Sequence, residues 1–246
     1  MRSPAFIAVI AAVLTIAAAA QSRAAPPAPY KPVAIALPQP VADDSFGAMR
    51  KQVGEAAQHK DRAALTKLVV ARGFFWQRDN RIAADKRKAG FDVLAAALGL
   101  NNKEGVGWEL LASTTEDPTA SPPPGIAGAL CAPAEPAYDR KAFADLLATT
   151  SSDLTEWGYP VSTEIAAHAA PQSSAPVIEK LGLYFVRMMP ETASTPPSWL
   201  RIATPSGQIG YVSVDSIAPI GNDQICYVKD NGVWKIGGYV GGGEPQ

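Results

Sequence analysis

Two cysteines and two histidines are what this 246-residue chain offers for nucleophilic or metal-centred chemistry. Cys131 sits in Leu-Cys-Ala-Pro and Cys226 inside an alternating stretch, Gln224 to Lys229, so neither stands at a helix start where a thiolate would be stabilised. His59 adjoins Lys60 and Asp61 at an expected helix boundary, a solvent-exposed setting, and His168 lies far along the chain. These four residues show no paired ligand spacing, so the sequence points to no metal site. Nor does it contain a Gly-x-Ser-x-Gly elbow, a His-Glu-x-x-His helix or a phosphate-cradling glycine loop. Asp79, Asp85, Glu104, Glu109 and Glu116 could serve as an acid and base pair only if the fold assembled them, and charged side chains are mostly solvated. The expectation is therefore no catalytic residue and no cofactor.

Aromatic side chains carry the one binding signal. Tyr184, Trp199 and Tyr211 fall in the part of the chain that alternates with period two. There they either line a shallow groove, where rings stack on peptide or sugar, or fill the core and rim of a small sheet. Phe74, Phe75, Trp76 and Trp108 read as core of the preceding half.

The elements that must position these residues follow from pattern and punctuation. Residues 1–24 read as a cleavable signal peptide, with Arg2 before an uncharged Ala-rich run and small Ser22 and Ala24 at its exit. Losing Arg2 and Arg23 lowers the basic count from 22 to 20 against 23 acidic residues, about −3 formal charge. That balance offers no footprint for nucleic acid or anionic lipid. Residues 25–42 are proline-rich and are expected to form an extended, poorly ordered linker. Helices are expected from Asp43 through Ala57, from Asp61 to near Gly73, from Phe91 to Leu100 and from Asp139 to Ala148, with helical packing around Trp108 to Leu111. Arg78 to Lys88 reads as a solvated charged face, and Thr114 to Gly125 as a long proline-rich surface connection. Beyond Trp157 the expected strands are Ser162 to Ala167, Leu183 to Met188, Trp199 to Ala203, Gln208 to Val214, Gln224 to Lys229 and Val233 to Val240. Turns at Thr204 to Gly207 and Asp230 to Gly232 separate the hairpins, and the tail after Val240 should be loose.

Within this pattern Ile165 to Ile220 resembles a bacterial SH3-like domain. The matching pieces are His168 to Pro171, Ala175 to Leu181, Val186, Trp199 to Ile202, Gly207 to Val212 and Ile217. His168 stands where that family commonly has Arg, and Thr192 to Pro197 lengthens the loop before the Trp strand. The whole chain also resembles a group of exported bacterial proteins in which a helical region precedes the barrel and a hairpin with a Gly-x-Trp-Lys-Ile type strand follows it. The hairpin here runs from Gln224 to Ile236. The resemblance implies binding, often of peptide or cell-wall material, without fixing a ligand.

The resulting expectation is an α+β chain: a mostly helical domain at 43–157, an SH3-like barrel at 158–220, and a C-terminal hairpin and tail at 221–246 that packs back on the helical domain. Export and an even count of two cysteines predict a Cys131–Cys226 disulfide joining that hairpin to the first half. The expected role is non-enzymatic binding or scaffolding in the periplasm or outside the cell, with an envelope peptide, protein or peptidoglycan as partner. Its rivals are a carboxylate-dependent cell-wall hydrolase and a periplasmic small-molecule binder with a pocket between the helices and the hairpin.

Overall fold

Residues 27–78, 81–82 and 87–241 are described by the structure, a computed structural model. The signal peptide at 1–24, the carboxylates Asp79 and Asp85, most of the charged stretch and the tail from 242 lie outside the described residues.

Helix α1 (Asp44–Gln58) starts where Asp43 accepts the Phe46 amide at 3.0 Å, and it buries Phe46, Met49, Val53, Ala56 and Ala57 on one stripe. Asp61 caps α2 (Arg62–Leu68) in the same way. This second helix stops well short of Gly73, because Val69 and Val70 turn extended and the Val70 amide donates to Ile236. Two strands follow, β2 (Phe75–Arg78) and β3 (Arg81–Ile82), then α3 (Gly90–Leu98) and α4 (Val106–Ser113). A Cβ on Gly107 would stand 1.9 Å from the Leu98 carbonyl, so only glycine lets α4 approach α3 this closely.

Beyond α4 come β4 (Ala129–Ala132), β5 (Ala137–Tyr138) and α5 (Arg140–Thr150), with Asp139 capping the last. The remaining strands are β6 (Trp157–Pro160), β7 (Ile165–His168), β8 (Val177–Leu181), β9 (Val186–Met188), β10 (Trp199–Ala203), β11 (Ile209–Ser213), β12 (Ile217–Pro219), β13 (Gln224–Asp230) and β14 (Val233–Val240). Strand β1 (Ile35–Ala36), in the leader, pairs with β5.

Two larger sheets organise the molecule. The five-stranded sheet runs β3-β2-β14-β13-β4, with β14 parallel to β2 and the other pairs antiparallel. Helices α1 to α4 cover it, and one core combines Phe46, Val53, Leu65, Leu94 and Leu111 with Tyr227, Ile236 and Tyr239 from the hairpin. The seven-stranded sheet runs β12-β6-β9-β10-β11-β7-β8, antiparallel throughout. One side encloses Ala167, Leu181, Val186, Ile202, Val212 and Ile217. Against the other side, at the β6 and β9 end, pack Phe143 and Leu146 of α5, Val33 and Ile35 of the leader, and Trp157 and Phe185.

This architecture corrects the expected fold class. Residues 43–157 do not form a mostly helical domain and 158–220 do not form a small SH3-like barrel. Among the described residues there are five short helices against fourteen strands, and one sheet alone has seven strands. The helices occupy one face of a sheet that the hairpin completes, and the second sheet begins at Trp157. Nor does the leader run free. Tyr30 packs edge-on to Trp157 at 5.0 Å and donates to the Ala203 carbonyl, while Val33 and Ile35 exchange main-chain bonds with Phe185 and Leu183. The proline-rich connection after α4 is also held in place, since Thr114 and Thr119 are buried and Ser121 bridges to Cys131.

Candidate functional site

Strand alternation decides which sequence-selected aromatics meet. On β10 and β11, Leu200, Ile202 and Val212 turn to the inner core, so Trp199, Arg201 and Tyr211 point to the opposite face. Cross-strand register sets Arg201 opposite Tyr211, and Tyr211 opposite His168. Trp199 then reaches across β11 to stand edge-on to the His168 ring, centroids 5.7 Å apart. All four side chains are half-buried.

His168 is fixed by its own bond. Its Nδ1 lies 2.8 Å from the Ala175 carbonyl, which can only accept, so that nitrogen supplies the hydrogen of the bond. The face thus offers two aromatic rings, an imidazole and a guanidinium, a set suited to stacking on a planar or sugar-like group with a polar edge.

Tyr184 does not join this face. It packs against the inner core and donates to Glu179 at 3.2 Å, whose other oxygen accepts from Ser206. Burial raises its hydroxyl above the ordinary tyrosine value. Alternation along β7 presents Ala167 inward and His168 outward, opposite Tyr211.

Cys131 and Cys226 face each other across β4 and β13 with sulfurs 1.94 Å apart, buried in the five-stranded sheet. The thiols are therefore spent on each other and neither is a nucleophile. His59 caps the end of α1, exposed, with Nδ1 at 2.8 Å from the Glu55 carbonyl. Glu104, Glu109 and Glu116 are exposed and widely placed on and around α4, so the structure builds no carboxylate pair from them. Among the described residues no group of three or more His, Cys, Asp or Glu could hold a metal ion. Phe74, Trp76 and Trp108 belong to the first core, and Phe75 lies under Gly238.

The seam between helices and hairpin is filled by rings: Phe46 stands 5.1 Å from Tyr227 and 5.0 Å from Trp234. Beside it opens a cleft of ≈ 510 Å³ between α1 and the loop after α4. Arg50, only 4% exposed, lines that cleft, and sequence reasoning passed over it. The signal was present, because Arg50 falls on the apolar stripe between Met49 and Val53.

Comparison of the chain with protein-family models, with curated proteins and with solved structures finds no match.

Proposed function

We propose that this chain is a non-enzymatic binding or scaffolding protein that works outside the cytoplasm and recognises an envelope peptide or a peptidoglycan strand. The observation that carries the reading is the open sheet face on which Trp199, Tyr211 and His168 converge beside Arg201. Rings held on adjacent strands are pre-organised, so little ordering opposes stacking of a ligand. A buried disulfide is compatible with an oxidising compartment, and no helix among the described residues is long and apolar enough to cross a membrane.

Co-sedimentation with purified peptidoglycan, and fluorescence titration with envelope peptides, test it. Trp199→Ala is expected to weaken retention about tenfold while circular dichroism and melting temperature stay those of the parent. Unchanged retention overturns the reading. So does a variant that simply unfolds, since Trp199 would then be core. A zymogram separates the hydrolase alternative, because clearing by the purified protein would replace binding with catalysis.

A further inference from the structure

A guanidinium is enclosed beneath the first turns of α1 without a carboxylate. Arg50 donates through Nη2 to the main-chain carbonyls of Thr114, at 2.5 Å, and Asp117, while its Nε finds no partner among the described residues. None of the ion pairs among the described residues involves it. The fully buried hydroxyl of Tyr227 lies beside this guanidinium and faces it. Burial pushes that hydroxyl up to about 12, and Arg50, through its charge and its side-chain hydrogen bonding, holds back part of the rise.

Arginine does not discharge when buried, so the enclosed charge persists at every physiological pH. The two carbonyls take the hydrogens of Nη2 and the Phe46 ring lies 5.6 Å from Cζ, but none of these brings a net negative charge, and a buried cation is ordinarily balanced by an anion. The cleft supplies room for one. Gly47, one turn before Arg50, has nothing within 4 Å of the position its Cβ would occupy, so the wall beside the guanidinium is open. Lys51 adds a second cation on the same wall, paired only loosely with Glu55 at 4.0 Å. Glu55 and Glu116 also line the cleft and are exposed, which disfavours a polyanion and restricts the occupant to a single small anionic group.

We propose that this cleft binds the carboxylate or phosphate group of a small ligand, with Arg50 as its principal contact. With Nη2 held by the two carbonyls, the remaining guanidinium hydrogens can form a charge-assisted bond to either oxyanion. Isothermal titration of the full chain with inorganic phosphate and, separately, with acetate distinguishes the two chemistries, with sodium chloride of equal ionic strength as the control. Melting temperatures measured in the same solutions give a second readout. At least one anion is expected to bind saturably and to raise the melting temperature above the chloride control. Arg50→Met should abolish that binding but also loosens the loop after α4, so the decisive variant is Gly47→Asp. It places a carboxylate in open space one turn from Arg50, keeps the fold, and is expected to weaken the anion at least tenfold. Absence of saturable binding by both anions, or a folded Gly47→Asp variant that binds as the parent does, overturns the proposal.

Discussion

The two sheets of this molecule are assembled by opposite strategies. The seven-stranded sheet draws its strands from the continuous stretch Trp157 to Pro219, and the leader, β5 and α5 come from outside it to cover one end. The five-stranded sheet takes β2 and β3 from before α3, β4 from after α4, and its two longest strands from beyond residue 223. It is also the sheet that carries the disulfide. The contrast shows where a covalent bond is useful. In the seven-stranded sheet β7–β8, β9–β10 and β10–β11 join consecutive strands and the other pairings stay within one stretch of chain, whereas the five-stranded sheet must bring segments from both ends of the fold together against loop-closure entropy.

The largest expected effect follows from that difference. Replacing Cys131 and Cys226 together with Ser removes a link that closes a separation of 95 residues. By loop-closure entropy this costs about 4–5 kcal/mol, or roughly 10–15 °C in melting temperature. Calorimetry should place the loss in the five-stranded half, with amide protection in β13 and β14 falling before that in β10 and β11. Uniform loss across both sheets would show that they fold as one unit and erase the contrast. Next in size, Phe185→Ala empties a fully buried site between the leader, α5 and the seven-stranded sheet. It should destabilise by about 3–5 kcal/mol and release residues 27–37 to proteolysis while the disulfide-linked half keeps its protection.

The smallest effect concerns Asp43, which joins α1 to the hairpin. The Ser45 hydroxyl and the Phe46 amide, helped by the Trp234 indole and Lys229, lower its carboxyl from 3.8 to about 2. A depressed carboxylate stabilises the fold above its unfolded value and loses that contribution as pH falls through the folded one. Asp43→Ala is therefore expected to lower the melting temperature by a constant few degrees above about pH 4. That gap should shrink as pH falls towards 2. A gap that does not narrow in acid would show that the carboxylate acts as a cap alone.

Strong periodicity made much of this fold readable. Helix α1 and strands β10, β13 and β14 match the sequence pattern closely because their apolar residues alternate or recur without interruption. The cysteine pairing was readable as well, from the even count and the expectation of an oxidising compartment. What escaped were strands too short to show a period: Ala129–Ala132 and Ala137–Tyr138 sit among prolines and looked like loop, and Phe75–Arg78 runs into charge. Their pairing energy comes from partners more than ninety residues away or on the other side of a helix, which local pattern cannot register. The leader was misread for a related reason, since prolines forbid a helix but do not prevent Val33 and Ile35 from burying their side chains. At the candidate site, sequence selected Trp199 and Tyr211 together and the register unites them, but it grouped Tyr184 with them although that ring serves the inner core.

One arrangement bears on how the chain reaches its folded form. Strand β14 lies between β2 and β13, parallel to the first. Phe75–Arg78 therefore has no neighbour on that side until Gly238–Val240 is made, and Cys131 has no partner until Cys226 is. Until then α1 to α4 lack Tyr227, Ile236 and Tyr239, the share of their core that the hairpin supplies. The hairpin is thus the keystone of the first half, the piece that completes both its sheet and its core.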